Sequence, residues 1–291
     1  MKSAVVGIVG RPSAGKSTLL NRLCGAKVSI VSPVPQTTRN RVRGILTRPA
    51  GQLVFMDTPG FHLSEKKFNR YLTDLVSITL RDSDIVLYLV DGTRPFGDEE
   101  RALLGKLRLS AKPCICAINK CDRKGRAWQE IRGKIMEALP EAPLHEISGL
   151  GGEGVDGLAS ALLAMSPEGD QLYPEEFYTD QDPPFRIAEI IREKAIAHTR
   201  AELPHALYVR LEDLEMSGDG ERLRVRGFIL VERESQKGIV VGRAGEKIHA
   251  IVREAEEELR SIFPYEVELD LRVKVDRNWR KRDPLLKQMI R

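Results

Sequence analysis

The run Gly10-Arg11-Pro12-Ser13-Ala14-Gly15-Lys16-Ser17 fits the pattern G-x-x-x-x-G-K-[ST], whose chemistry is phosphate binding. Two glycines let a loop wrap closely enough for backbone N–H groups to face phosphate oxygens, and a helix opening at Ser17 and Thr18 adds the positive end of its dipole. In such a loop Lys16 meets the β- and γ-phosphates and the Ser17 hydroxyl meets Mg²⁺. Asp57-Thr58-Pro59-Gly60 puts a carboxylate where it can hold the ion through water, and Gly60 offers an amide to a γ-phosphate. Taken alone that tetrapeptide is an ordinary turn; its place after the phosphate loop gives it chemistry. Thr37-Thr38-Arg39 lies in a polar stretch between the first helix and the next strand, where a loop could close over the γ-phosphate, with Thr38 on the metal.

Asn119-Lys120-Cys121-Asp122 reads the base. Guanine presents two adjacent donors, N1–H and the N2 amine, and one carboxylate accepts both. Adenine would leave Asp122 facing an acceptor, at a cost of about 1–3 kcal/mol for an unpaired buried polar group. The expected nucleotide is therefore GTP or GDP. The Lys120 stem covers the base face and Asn119 braces the neighbouring loops. Ser148-Gly149 occupies the place of a last loop lending backbone donors to the guanine carbonyl. The residues expected to act in hydrolysis are Lys16, Thr38 and Gly60.

These residues need elements to hold them. Apolar runs at Ala4–Val9, Leu53–Met56, Ile85–Val90, Cys114–Ile118 and Leu144–Ile147 read as strands. They alternate with helical patterns at Ser17–Leu23, Asn69–Leu80, Glu99–Leu109, Ala127–Ala138 and Val155–Met165. Such alternation predicts an α/β domain with a mostly parallel sheet and phosphate binding at the carboxyl ends of its strands. Gly44–Arg48 and Gln52–Asp57 flank Pro49-Ala50-Gly51 as a hairpin with one antiparallel edge strand.

From Ser166 to Pro184 periodicity stops, so residues 169–184 read as a linker between a domain over 1–168 and another over 185–291. The second pattern is helix Phe185–His198, strand Ala206–Glu212, strand Leu223–Val231, helix Ser235–Val240, Gly-x-x-Gly, helix Glu246–Ser261 and strand Val267–Val275. This α+β order resembles a type II KH domain, in which a Gly-x-x-Gly loop joins two helices and lets single-stranded nucleic acid approach closely. Gly242, Arg243, Ala244, Gly245 and Lys247 are then the RNA-binding candidates. The basic stretch Lys274, Arg277, Arg280, Lys281 and Arg282 around Trp279 is either an extension of that surface or a solvated tail. His198 and His205, with no partner evident, read as structural.

A chain of 291 residues exceeds the size of a single core, and no apolar run approaches bilayer length. That pattern predicts a cytoplasmic protein. Its four cysteines form neither a zinc pattern nor a secreted framework, and its net charge of +4 does not announce nucleic acid by itself.

In order and spacing, Gly10 to Ser17, Gln36-Thr37-Thr38-Arg39, Asp57 to His62 and Asn119 to Asp122 resemble the motifs of the Era family of bacterial ribosome-assembly GTPases. Phe185 to Lys194, Ile229 to Arg233 and Gly242 to Gly245 continue the resemblance into that family's KH region. It implies a GTP-hydrolysing switch with Mg²⁺ that binds the 3′ region of small-subunit ribosomal RNA and assists assembly of the 30S subunit. Peripheral association with the inner membrane comes with it; DNA and an oligomer do not. Ser13 stands where the family commonly has Asn, a residue linked to monovalent cations, so potassium is left open. Gly149 replaces the usual Ala, and the tail after Trp279 lacks the family's common ending. Phe61 stands where Ras-like GTPases carry a water-orienting Gln, so slow intrinsic hydrolysis is expected. The rival readings are an RNA-binding module whose GTP site only sets affinity, and a membrane- or division-linked GTPase acting through a protein partner.

Overall fold

A computed structural model describes residues 1–34, 37–38, 40–61, 67–123, 127–200 and 203–277. Gln36, Arg39, His62, the His205 side chain, Trp279 and the basic residues Arg280, Lys281 and Arg282 lie outside what is described. The chain divides into two units, Met1–Ser29 with Thr38–Asp180, and Ile30–Thr37 with the chain from Gln181 onward.

The first unit runs β1 (Lys2–Val9), α1 (Lys16–Cys24), β2 (Val42–Arg48), β3 (Gly51–Asp57), α2 (Lys67–Asp82), β4 (Ile85–Asp91), α3 (Asp98–Ser110), β5 (Cys114–Asn119), α4 (Trp128–Ala138), β6 (Leu144–Ile147) and α5 (Val155–Met165). Its six strands are ordered β2-β3-β1-β4-β5-β6, and only β2 runs antiparallel to its neighbour. Strands β3 and β4 are buried along their whole length, which is why they read as unbroken apolar runs rather than alternating ones. The register sets Val6 of β1 between Phe55 and Ile85, and so brings the carboxyl ends of β1, β3 and β4 to one edge.

The segment expected to be a linker is tied to this unit almost to its end. Gln52 holds it through both ends of its amide, donating to the Tyr173 carbonyl at 2.8 Å and accepting from the Leu172 and Tyr173 amides at 2.9 Å. Thr179 donates to the Arg43 carbonyl at 2.7 Å. The lack of periodicity reflects irregular backbone paired by a buried glutamine, not a free tether.

The second unit runs α6 (Pro183–Ala197), α7 (Leu203–Ala206), β7 (Tyr208–Met216), β8 (Arg222–Val231), α8 (Glu234–Val241), a short 3₁₀ turn (Arg243–Gly245), α9 (Glu246–Ile262) and β9 (Glu266–Val275). Asp182 caps α6 by accepting the Phe185 amide at 2.8 Å, and Pro183 and Pro184 fill the first turn, where no amide is needed. Three strands order as β7-β8-β9, with β8 antiparallel to β7 and parallel to β9. Helix α9 buries Ile251, Ala255 and Leu259, spaced by four, against the inward residues of β8 and β9. Strand β7 runs on to Met216, past its expected end at Glu212; a bulge between Leu211 and Asp213 breaks the alternation that marks a strand and so hides the continuation.

Among the described residues no helix is long and apolar enough to cross a membrane. All four cysteines are free; burial raises the Cys24 thiol to about 12, in keeping with a small apolar filler.

Candidate functional site

Each of five parallel strands hands over one component at its carboxyl end. Gly10 follows β1, Asp57 ends β3, Asp91 ends β4, Asn119 ends β5 and Ser148 follows β6. The loop after β1 is fixed by close approach. A side chain at Gly10 would stand 2.3 Å from the Leu89 carbonyl oxygen, and one at Gly15, whose φ is +94°, 2.4 Å from Asn119 Nδ2. Ser13 also holds a left-handed conformation, with φ 63°. Helix α1 opens with no side-chain cap, which leaves its N-terminal dipole turned to the loop.

Lys16 lies inside this loop, where its Nζ donates to the Gly10 and Arg11 carbonyls, each at 3.1 Å. Burial pulls its ammonium down to about 8, opposed by the charges of Asp57 and Glu99. Three oxygen-bearing side chains meet beside it. Ser17 Oγ donates to Asp57 Oδ2 at 2.6 Å and lies 3.0 Å from Thr38 Oγ1. Ser29 Oγ adds a second donor to Asp57 Oδ2 at 3.0 Å, while Asp57 Oδ1 is buried with no hydrogen-bond partner. Burial raises the Asp57 carboxyl, against the stabilising Lys16 charge and the Ser17 and Ser29 hydroxyls. An orphaned carboxylate oxygen beside two hydroxyls is an all-oxygen donor set, which fits a hard divalent cation such as Mg²⁺.

Gly60 packs on the loop so tightly that a side chain there would meet Pro12 N at 2.4 Å, and the Phe61 amide donates to the Gly10 carbonyl at 3.0 Å. The Phe61 ring is buried in the core. Thr58 Oγ1 donates to the Ile8 carbonyl at 2.8 Å, which fixes the turn through Pro59. The segment before Thr38 belongs to the second unit: Ile30 lies in that unit's core, the Val31 amide donates to Glu193 at 2.8 Å, and Arg192 donates to the Thr37 carbonyl at 2.7 Å. Thr37 and Thr38 thus belong to different units.

On the base side, Asn119 is a brace. Its Nδ2 donates to the Ala14 carbonyl, and its Oδ1 accepts the Lys120 and Gly149 amides, all at 2.8 Å. Lys120 has φ 72°, and its Nζ reaches the Ser13 carbonyl at 2.9 Å and Asp91 Oδ2 at 2.7 Å. Asp122 Oδ1 accepts the Ser148 hydroxyl at 2.6 Å. The Ser148 and Gly149 amides, expected as donors to a base carbonyl, are both used within the protein, on the Glu153 carbonyl and Asn119. Ser148 instead contributes its hydroxyl. The Cys121 amide donates to the Ile147 carbonyl, tying this turn to β6.

Sequence reasoning missed Ser29, Asp91 and Glu100, which hold Asp57, Lys120 and Arg11. Only Asp91 carried a signal, as a carboxylate closing an apolar strand.

In the second unit Gly242 and Gly245 have φ of +76° and +83°, and Ala244 between them has φ 48°. A side chain at Gly242 would press on Lys247 Cγ at 2.8 Å. Arg243 and Ala244 are exposed, Lys247 is half-buried, and α9 begins without a side-chain cap, so no side chain occupies its first amides. His198 pairs with Glu254 at 2.9 Å, a structural contact.

The family described as 50S ribosome-binding GTPase matches residues 5–120, and the KH domain family matches residues 202–280. The GTPase Era of Treponema denticola is 49% identical over 99% of both chains, and that of Borreliella afzelii is 42% identical over 100% of both. An Era variant from Aquifex aeolicus, solved bound to GDP·AlF4⁻, superposes with a TM-score of 0.94 at 34% identity, covering 99% of each chain. An Era solved with MgGDPNP and nucleotides 1506–1542 of 16S ribosomal RNA superposes at 0.93 with 35% identity, over 99% of this chain and 98% of that one. With nearly half its residues identical to a relative along almost its full length, the chain belongs to the Era family of GTPases.

Proposed function

We propose that this protein is a GTP-hydrolysing switch whose second unit binds the 3′ region of small-subunit ribosomal RNA and assists assembly of that subunit. The observation that carries the reading is the meeting of Ser17, Thr38 and the unpartnered Asp57 oxygen beside Lys16, at the strand ends where Asn119 and Asp122 also stand. A relative matched over 98% of its length was solved with both MgGDPNP and nucleotides 1506–1542 of 16S ribosomal RNA.

Phosphates entering the loop displace the Gly10 and Arg11 carbonyls as partners of Lys16, and their charge favours the ammonium that burial disfavours. Ser17, Thr38 and Asp57 would hold Mg²⁺, which neutralises charge developing on the β- and γ-phosphate oxygens. Gly60 reaches the γ-phosphate with its amide. Asp122, held by Ser148, accepts guanine N1–H and N2, while Lys120 lies along the base. Phe61 is buried and cannot orient a water, so turnover without a partner is slow.

In the second unit, Gly242, Arg243, Ala244, Gly245 and Lys247 form the RNA contact: the glycines admit the backbone, Arg243 and Lys247 attract phosphate, and the open start of α9 adds amides. The protein acts in the cytoplasm; peripheral contact with the inner membrane is a finer expectation, tested by vesicle flotation. The central test is pelleting with 30S subunits in GTP, GDP and no nucleotide, together with hydrolysis measured with and without the 3′ RNA. Co-pelleting that ignores both nucleotide and RNA sequence would remove the reading.

A further inference from the structure

The stretch from the last residue of β4 to the first turn of α3 carries none of the nucleotide motifs, yet it touches both halves of the site. At one end Asp91, buried, holds Lys120 on the base side. At the other end Glu100 Oε1 meets Arg11 Nη1 at 2.7 Å, with Glu100 only 3% exposed and Arg11 13%. The other Glu100 oxygen accepts the Gly97 amide at 2.9 Å, so the carboxylate is fixed by its own helix before it reaches the loop. Arg11 Nη1 also donates to the Pro95 carbonyl at 3.4 Å, whereas its Nε is buried without a hydrogen-bond partner. The Arg11 carbonyl is one of the two that receive Lys16 Nζ, and Gly60 rests on the next residue, Pro12.

We propose that Glu100 is a positioning residue for phosphate binding, acting through Arg11 to fix the backbone at Arg11 and Pro12 that aims Lys16 and seats Gly60. The proposal rests on the GTP-binding reading above. A buried ion pair is a weak source of net stability, because desolvation offsets the attraction, but a pair locked at both ends fixes geometry well. Arg11 is not free to swing toward the ligand: its guanidinium is committed to the β4–α3 stretch, and only its backbone faces the site.

A structural prop and a positioning device differ in what they do to different ligands. If Glu100 fixes the part of the loop that receives the β- and γ-phosphates, its loss weakens GTP and GDP but spares GMP, which has neither. The variants are Glu100→Gln, Glu100→Ala, Arg11→Ala and the double Arg11→Ala/Glu100→Ala. Affinities for GTP, GDP and GMP are measured by competition against a fluorescent guanosine nucleotide, with circular dichroism and denaturation as folding checks. The expected result is a loss of about tenfold for GTP and GDP in each Ala variant, with no further loss in the double, since both remove one coupled interaction. Glu100→Gln keeps an acceptor for Gly97 and stays folded if the Ala form does not; it loses the charge and should show a smaller loss of the same kind. Wild-type GDP affinity in folded Glu100→Gln and Arg11→Ala, or equal losses for GMP and GDP, would overturn the proposal while leaving GTP binding intact. Failure of the wild-type chain to bind any guanine nucleotide would instead remove the reading on which it rests.

Discussion

The two regions proposed to bind anions are built in opposite ways. Around the nucleotide site nearly every polar side chain is already spoken for: Asn119 alone makes three hydrogen bonds, to Ala14, Lys120 and Gly149, and so joins three separate loops. At the Gly-x-x-Gly loop no side chain caps α9, Arg243 and Ala244 stand in solvent, and the geometry lives in three left-handed backbone positions. The difference follows from the ligands. A triphosphate concentrates charge at one point and rewards dipoles fixed in advance inside a dry pocket. A nucleic-acid strand spreads its charge along a polymer and rewards open access and close backbone approach.

The largest effect should come from breaking the buried site at its charge. Lys16→Ala removes the ammonium that the loop is shaped to hold, and should cost about 2–5 kcal/mol of GTP affinity, as for truncating one partner of a buried charged pair. RNA binding by the second unit should survive in the absence of nucleotide. Titration calorimetry with GTP, beside filter binding of 3′ RNA, checks both halves. Wild-type GTP affinity would refute the phosphate assignment, and failure to bind RNA would show that the two regions are not separable as described.

Asp122→Asn comes next. It keeps the shape and the acceptor for Ser148 Oγ, so the pocket should stand. An amide can donate to a carbonyl but cannot accept both guanine donors, so GTP should lose about 1–3 kcal/mol while XTP gains. An unchanged GTP-to-XTP ratio would refute base reading by this residue.

The contrast also explains what can be read from the sequence. Gly10 to Ser17, Asp57, Asn119 to Asp122 and Gly242 to Gly245 are short patterns whose residue types, spacing and order along the chain are all visible in the sequence. Their supports are not local. Ser29, in the loop after α1, reaches Asp57 at the end of β3, and Glu100, in the first turn of α3, reaches Arg11 in the loop after β1, only through the tertiary fold, and nothing in the composition of either neighbourhood marks it. Asp182-Pro183-Pro184 looks like linker because a capped helix start and a linker draw on the same residues. Strand β7 looks too short for a related reason: period-two alternation is its main strand signal, and one extra residue inverts it. Thr37 and Thr38 sit side by side in sequence, yet the first is held by Arg192 and the second by Ser17, a separation that no pattern in the loop announces.

At the open site the changes should be smaller and depend on salt. Replacing Arg243 and Ala244 with Asp adds repulsion and removes one attraction while keeping both glycines. GTP affinity should not change. RNA affinity should fall, and the slope of log affinity against log salt should flatten by about 0.7 for each phosphate that the variant no longer neutralises. Filter binding at two salt concentrations measures it. Tight binding by the double variant would move the RNA surface away from this loop.

The smallest effect tests whether the loop works through its backbone alone. Ala244 has φ 48° and ψ 25°, the left-handed region, which costs an L-residue about 1–2 kcal/mol relative to its ordinary conformations. Ala244→Gly relieves that strain but frees the unfolded chain, which gives back about 0.4–1 kcal/mol. The net should be a gain of up to about 1.6 kcal/mol, seen as a higher urea midpoint for the transition reporting the second unit, with the slope unchanged. Because the Ala244 methyl is exposed and caps nothing, RNA affinity should stay close to wild type. A variant that is more stable yet binds RNA much more weakly would show that the strained alanine holds Arg243 in its binding pose. The open site would then be preorganised as the buried one is, by stiffness at one backbone position in place of a network of side chains.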